Sequence, residues 1–282
     1  MVEAKRRVLK FMPIPVMYGV YITRAVRALK GMTMLRRCSL FVSLILALLA
    51  PAAAFAAEVK VAVAANFTEP AKEIAARFKA KTGHDANLSF GSSGQFYAQI
   101  ANGAPFGVFL SADRERPEKA EAEGLGVAGS RFTYAVGRLV LYSKTPGLVD
   151  GKGAVLKAGK FNKIAIADPK TAPYGLAAVE TMKKLGVYDA LTPKLVQGTS
   201  ITQAYQFIDT GAAELGFVAL SQVVTVKGGS RWTVPASNHT AIDQQAVLLK
   251  TGAGNPAATA FMTFLKGAEA RTIIRKYGYE VP

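Results

Sequence analysis

Lys60-Val61-Ala62-Val63-Ala64-Ala65-Asn66-Phe67-Thr68-Glu69-Pro70 is the stretch whose reading decides the fold. Its first half, Lys60–Ala64, is an apolar run of strand length. From Glu69 to Thr82 the period changes. Ala71, Ile74, Ala75 and Phe78 fall at i, i+3, i+4 and i+7, the spacing of one helix face. A short polar turn joins the two. Strand, tight turn and helix in succession is the unit from which α/β proteins are built.

The same transition recurs along the chain. Ala86–Phe90 passes to a helix at Gln95–Ala101 through Gly91-Ser92-Ser93-Gly94. Lys163–Ala167 passes to Tyr174–Leu185 through Asp168-Pro169-Lys170-Thr171-Ala172-Pro173, and Gly186 is placed to end that helix. Leu195–Val196 passes to Ile201–Ile208 through Gln197-Gly198-Thr199-Ser200. Further strands are expected at Val108–Ser111, Arg138–Ser143, Leu215–Val218 and Ala246–Leu249, and helices at Arg114–Glu123, Pro256–Lys266 and Ala268–Lys276. The pattern predicts an α/β fold with mostly parallel sheets. No repeat or Gly/Ser tether interrupts it, so two lobes would have to be joined through strands.

The charge has to be divided before it is interpreted. The 282 residues carry 35 Lys+Arg and 19 Asp+Glu, a formal net charge of +16. Met34-Leu35-Arg36-Arg37, an apolar run from Ser39 to Ala50, and Ala54-Phe55-Ala56 have the layout of a secretory signal peptide cut before Ala57. Met32 and Met34 each stand as candidate starts. Residues 1–56 are therefore expected to be a removed leader. They hold nine basic residues and one acid, so 26 against 18 remain and the net charge falls to +8. The single cysteine, Cys38, leaves with them, which excludes thiol nucleophiles, disulfides and Cys-based metal sites from the remainder. The expected location is the periplasm.

The four junctions share one chemistry. Each sets small or polar residues before a helix whose first N–H groups have no intrahelical acceptor, at the positive end of the helix dipole. Such ends bind anions. In open α/β sheets they lie beyond the strand C-termini, where ligands sit. Gly91-Ser92-Ser93-Gly94-Gln95 is not the G-x-S-x-G elbow of a hydrolase, and no P-loop is present. Lys170 is the only basic residue in these loops, so hydroxyl and backbone donors would hold an ionised oxyanion without a countercharge. Each hydrogen bond to a charged group contributes roughly 1.5–3 kcal/mol, and six or seven approach the ~12 kcal/mol of nanomolar binding after association costs. An inward carboxylate would instead select protonated ligands. Asp168 is the nearest candidate, and it is read as a turn residue.

Several residues are read plainly. Ser92 is taken as a helix N-cap, His84 and His239 as surface residues, Trp232 as a packing residue, and Lys183-Lys184 and Arg275-Lys276 as solvated helix faces. Two His without Cys make no convincing metal site. A nucleic-acid binder needs a basic stripe with stacking aromatics, whereas the basic residues here are dispersed.

Taken in order, Val61-Ala62-Val63-Ala64-Ala65-Asn66-Phe67-Thr68, Ser89-Phe90-Gly91-Ser92-Ser93-Gly94, Phe109-Leu110-Ser111-Ala112-Asp113, Ala167-Asp168-Pro169, Ala172-Pro173-Tyr174-Gly175, Ala213-Glu214-Leu215-Gly216-Phe217-Val218, Phe264-Leu265-Lys266-Gly267 and Lys276-Tyr277-Gly278 form a series. It resembles the periplasmic molybdate-binding proteins of ABC transporters over about Val59 to Tyr279. The resemblance implies a two-lobed periplasmic-binding-protein fold of type II with the ligand in the interlobe cleft. Lobe 1 would hold residues 57–136 and 244–282, and lobe 2 residues 137–243, closing about strands near Tyr134–Leu139 and Gln244–Val247. It implies capture of molybdate or tungstate as ligand, no cofactor, a membrane permease as partner, and a monomer that is not an enzyme.

The ligand set that the resemblance implies is Asn66, Ser93, Tyr174 and Ile201. These residues would meet the metal as its oxyanion, not as a bare cation. Asn66 would donate through its amide, Ser93 through hydroxyl and N–H, and Tyr174 and Ile201 through backbone N–H. The family's Tyr hydroxyl after the fourth helix is Ala219 here, and Tyr174 would replace it, which pairs the departures at positions 66 and 174. Gly107 stands where the family commonly has Asp, which implies a structural consequence. The alternatives are a binding protein for another oxyanion such as sulfate or phosphate and, from another class, a Ser93-dependent hydrolase. A ferric site would need clustered Tyr and acidic ligands that these loops lack.

Overall fold

A computed structural model describes residues 56–282. The expected leader lies outside the described residues except for Ala56. The first strand, β1, runs from Glu58 to Ala64, and its partner β2 from Asp85 to Gly91. A 3-10 turn at Ala65–Phe67 leads from β1 into the Thr68–Thr82 helix, which buries Ala71, Ile74 and Phe78 on the predicted face. Burying a side chain such as Ile74 or Phe78 contributes ~1.5–3 kcal/mol. Gly83, at φ 75°, ends the helix in the left-handed conformation that a Cβ penalises.

Three more strands complete the first sheet: β3 (Val108–Leu110), β4 (Phe132–Gly137) and β10 (Ile242–Leu248), in the order β2-β1-β3-β10-β4. The second sheet contains β5 (Leu139–Ser143), β6 (Ile164–Ala167), β7 (Leu195–Gly198), β8 (Leu215–Ala219) and β9 (Ser230–Thr233), in the order β7-β6-β8-β5-β9. Helices cover both sheets, and each sheet has its own core. Val61, Ile74, Phe78 and Phe261 belong to the first, and Leu141, Ile166, Met182 and Phe217 to the second.

The sheets are mixed, which corrects the expectation of mostly parallel pairing. Among the described residues β1 pairs in parallel with β2 and β3, and β6 with β7 and β8. The pairings of β10 with β3 and β4, and of β5 with β8 and β9, are antiparallel. The cause is connectivity. The chain leaves the first sheet through Gly137, Arg138 and Leu139 and returns into β10, so the strands at the crossings run against their neighbours. β4 and β9 were not among the strands predicted outright. β9 spans Ser230–Thr233 with only Trp232 buried, too little pattern to read.

The crossing is also an exchange of cores. Ile242 and Ala246 lie on one strand, yet Ile242 packs in the second core and Ala246 in the first. Between them the ladder shifts register at Gln244/Gln245. Gly107 shows its structural consequence here. It lies against Gly252, and a Cβ on it would stand 2.8 Å from Val59 Cγ2, so the close backbone packing depends on its having no side chain.

Candidate functional site

All four junctions form at the C-terminal ends of parallel strands: β1 and β2 in the first sheet, β6 and β7 in the second. The loops touch across the cleft. Gly94 N–H donates to Thr171 O at 2.8 Å, which joins the second loop to the third. A Cβ at Gly94 would stand 2.9 Å from Thr171 Cα, so glycine permits this approach. Thr202 Oγ1 donates to Ala65 O at 3.4 Å, joining the fourth loop to the first. Ala64, Ala65 and Ala112, at strand ends of the first sheet, bury against the core of the second.

Ser93 opens the Ser93–Ala101 helix and is 1 % exposed. Its Oγ accepts a hydrogen bond from Ala112 N–H at 2.9 Å. That bond fixes the oxygen and leaves the hydroxyl proton free to donate. Ser92 stands at the N-cap of that helix as read, but its buried Oγ makes no capping bond and has no partner among the described residues. Tyr174 is the second residue of the Pro173–Lys184 helix, and Ile201 the first of Ile201–Asp209. The N–H groups of Ser93, Tyr174 and Ile201 meet no acceptor among the described residues, as expected for first-turn donors. The fourth loop is held by Ser200 Oγ, which accepts from Gln203 N–H, and by Gln203 Oε1, which accepts from Thr199 N–H.

Asn66 departs from expectation. It is buried, and Nδ2 donates to Gln244 Oε1 at 2.7 Å and to Tyr279 Oη at 3.0 Å. Both amide hydrogens thus have protein acceptors, and the donor left to this residue is its backbone N–H, which has no acceptor among the described residues. Its carbonyl accepts from Ser221 Oγ at 2.8 Å and from Tyr279 Oη at 2.7 Å. Gln244 Oε1 also accepts from Tyr134 Oη, and Gln244 Nε2 donates to Tyr174 Oη at 3.4 Å. Ala219 ends β8 and is fully buried without a side-chain donor; two residues on, Ser221 enters the network.

Sequence reading missed Gln244, Ser221, Tyr134 and Tyr279 as site neighbours. The signal for Gln244 was present: Gln244-Gln245 stands directly before the apolar run Ala246–Leu248 on the same strand, and a buried amide needs partners. Asp168 behaves as read. Its carboxylate accepts from Lys170 N–H and Thr171 Oγ1 within its own turn. His84 accepts from Ala57 N–H, Trp232 packs in the second core, and Lys276 pairs with Glu73. Among the described residues no cluster of His, Cys, Asp or Glu could hold a metal cation, and no helix is long and apolar enough to cross a membrane.

The titratable groups buried around Asn66 and Gln244 are tyrosines, while Arg116 lies at the contact of the second and third loops and donates to Lys170 O. Burial pushes Tyr279 up to about 12 and Tyr134 and Tyr174 well above the ordinary phenol value, with neighbouring tyrosines adding to the last two. All three hydroxyls stay protonated at neutral pH. A cavity of about 180 Å³ is lined by Asn66, Glu69, Thr202, Tyr205 and Ser221, and by none of Ser93, Tyr174 and Ile201. At ~30 Å³ per water it has room for a few small groups.

Two five-stranded sheets joined by two chain crossings, with strand-to-helix loops of one in contact with those of the other, have the architecture of a solute-binding protein. The chain belongs to the bacterial extracellular solute-binding protein family, whose model matches residues 59–280. It is 60% identical to the molybdate-binding protein ModA of Rhodobacter capsulatus over 87% of this chain and 96% of that protein. To ModA of Azotobacter vinelandii it is 59% identical over 80% of this chain and 91% of that one. The solved structure of the Azotobacter vinelandii periplasmic molybdate-binding protein superposes with a TM-score of 0.77 at 45% identity, covering 79% of this chain and 99% of that one.

Proposed function

We propose that this protein captures molybdate, and tungstate with it, in the cleft and delivers it to the membrane permease of an ABC transporter. The observation that supports this most directly is that the four strand-to-helix junctions join in pairs across the two sheets, Gly94 to Thr171 and Thr202 to Ala65, with unpaired N–H groups from both sheets and the Ser93 hydroxyl from the first. The names of relatives about 60% identical point to the same ligand.

Asn66, Ser93, Tyr174 and Ile201 are the proposed ligand residues. Asn66 serves through its backbone N–H, Ser93 through hydroxyl and N–H, and Ile201 through N–H. Tyr174 serves through N–H and through the hydroxyl proton that the Gln244 contact leaves available. Asp168 turns its carboxylate into its own loop, so no acceptor from that side chain repels a fully ionised dianion. That favours molybdate over hydrogen phosphate. The protein acts as a monomer in the periplasm after loss of residues 1–56, needs no cofactor and binds no nucleic acid.

Calorimetric titration of residues 57–282 with molybdate, tungstate and sulfate tests the reading. The expected result is tight 1:1 binding of the first two and much weaker binding of sulfate. Tight sulfate binding with no response to molybdate would overturn it. A Ser93-dependent hydrolase is less well supported, because the Ser93 oxygen is occupied by Ala112 N–H and no His bonds to it. Ester turnover abolished in Ser93→Ala would restore it.

A further inference from the structure

Gln244 is fully buried on β10, the strand on which the chain returns between the two cores. A β-strand alternates faces, so consecutive residues do not normally both bury polar side chains. Here the register shift at Gln244/Gln245 lets them, and the two amides go different ways. Gln245 bonds Arg131 and Thr133 within the first sheet. Gln244 faces the cleft hinge. Its oxygen accepts from Asn66 Nδ2 at 2.7 Å and Tyr134 Oη at 3.1 Å, and its nitrogen donates to Tyr174 Oη at 3.4 Å. The orientation of the amide follows from these partners, since a flip would set its NH2 against the Asn66 NH2.

We propose that Gln244 is a positioning residue for ligand capture: one carboxamide fixes Asn66 from the first sheet and Tyr174 from the second, so that the two respond to ligand as a unit. This rests on the ligand set proposed above. Gly137 completes the device. It pairs with Ile242 at the end of β4, and a Cβ there would overlap the Tyr174 hydroxyl and stand 2.9 Å from Gln244 Nε2. The absence of a side chain at 137 is what lets Tyr174 reach the amide. The pairing of Asn66 with Tyr174, noticed in the sequence as two departures from a family pattern, thereby acquires a physical link. Neither residue touches the other, and both touch Gln244; Tyr279 also neighbours both, but Gln244 alone lies on the returning strand.

The test is a set of calorimetric titrations with molybdate, each paired with thermal unfolding without molybdate. Gln244→Leu keeps the approximate size and removes both kinds of bond. It is expected to weaken binding about 10- to 100-fold, from the loss of buried partners. Unchanged affinity overturns the proposal. In the parent, Asn66→Ala and Tyr174→Phe together should cost clearly less than the product of their separate fold-losses. In the Gln244→Leu background the losses should multiply. Independent losses in both backgrounds overturn the proposal while leaving the ligand set intact. The ligand set itself fails on a different result, an unchanged Ser93→Ala.

Should Gln244→Leu not fold, Gln244→Glu decides. The titratable groups facing this position are Tyr134, Tyr174 and Tyr279, with Asp113 close enough to act on Tyr134. A buried carboxyl here is pushed up. When protonated it reproduces the donor and acceptor of Gln, and when ionised it loses the donor and repels a dianion. Affinity is expected to recover at pH 5.5 relative to pH 8, with the parent unchanged. A loss that is equal at both pH values overturns the proposal. Gly137→Ala should weaken binding in the same range as Gln244→Leu, and full affinity in that variant would also overturn it.

Discussion

The two halves of this molecule share a plan and use it differently. Each has a five-stranded mixed sheet in which the strand next to one edge, β1 or β6, pairs in parallel on both sides, and each ends two parallel strands at the cleft. In the first half one of those ends carries a side-chain donor, the Ser93 hydroxyl, aimed by Ala112 N–H. In the second half both proposed residues, Tyr174 and Ile201, donate through backbone N–H at helix starts, and the Tyr174 hydroxyl only adds to its N–H. A side-chain donor is removed by a change of residue. A backbone donor survives every substitution except proline. The two halves should therefore respond differently to mutation even where they contribute alike to binding.

Ser93→Ala is expected to show the largest effect. Losing one hydrogen bond to an ionised ligand costs roughly 1.5–3 kcal/mol, or about 10- to 150-fold in the dissociation constant for molybdate. Stability without ligand should fall by about 1–3 kcal/mol, because the buried Ala112 N–H loses its partner. An unaltered dissociation constant would remove Ser93 from the pocket and with it the contrast between the halves.

Ile201 offers the matching test on the other side. It is the first residue of its helix, where proline is tolerated, and Ser200 before it is already extended at φ −148° and ψ 168°. Ile201→Pro removes the N–H and should weaken molybdate binding about 10-fold or more. Ile201→Ala keeps the N–H. It should leave affinity within about threefold while lowering stability by ~2–5 kcal/mol, because the side chain is buried in the second core. Equal affinity losses in both variants would show that the side chain, not the backbone, matters here.

The smallest expected effect is that of pH on binding. With Tyr279 raised to about 12 and Tyr134 and Tyr174 well above the ordinary value, affinity should be flat from pH 6.5 to 9. Stability behaves otherwise. Below pH 10, the ordinary phenol value, folded and unfolded chains both hold these protons. Above it the unfolded chain releases them first, so stability falls as pH rises toward 12. Denaturant midpoints at pH 9, 10 and 11 should decline, and Tyr279→Phe should reduce the slope. A Tyr279→Phe slope equal to the parent's would contradict the buried placement of this phenol.

Much of the fold was legible because its signals are local. The periodicity of Ala71, Ile74 and Phe78 announces a helix whatever surrounds it, and the helix at Tyr174–Leu185 with Gly186 beyond it was placed to within a residue. The four junctions stood out because small polar residues before an apolar period mark helix starts. What escaped was relational. β9 has one buried residue, and the direction in which β10 enters the first sheet is set by where the chain crosses. The amide of Asn66 was expected to face the ligand, and nothing within a few residues of it could show that Gln244 and Tyr279 are its acceptors.

By itself, then, the amino-acid sequence determined the alternation of strands and helices, the four loops, and the neutral character of their donors, since each follows from residue type and spacing over a few positions. Only the tertiary structure decided which donors remain unpaired. A hydroxyl or amide is free or engaged according to what the fold brings within about 3 Å. Ser93 met Ala112, 19 residues away, and kept its proton; Asn66 met Gln244, 178 residues away, and spent its amide hydrogens there and on Tyr279.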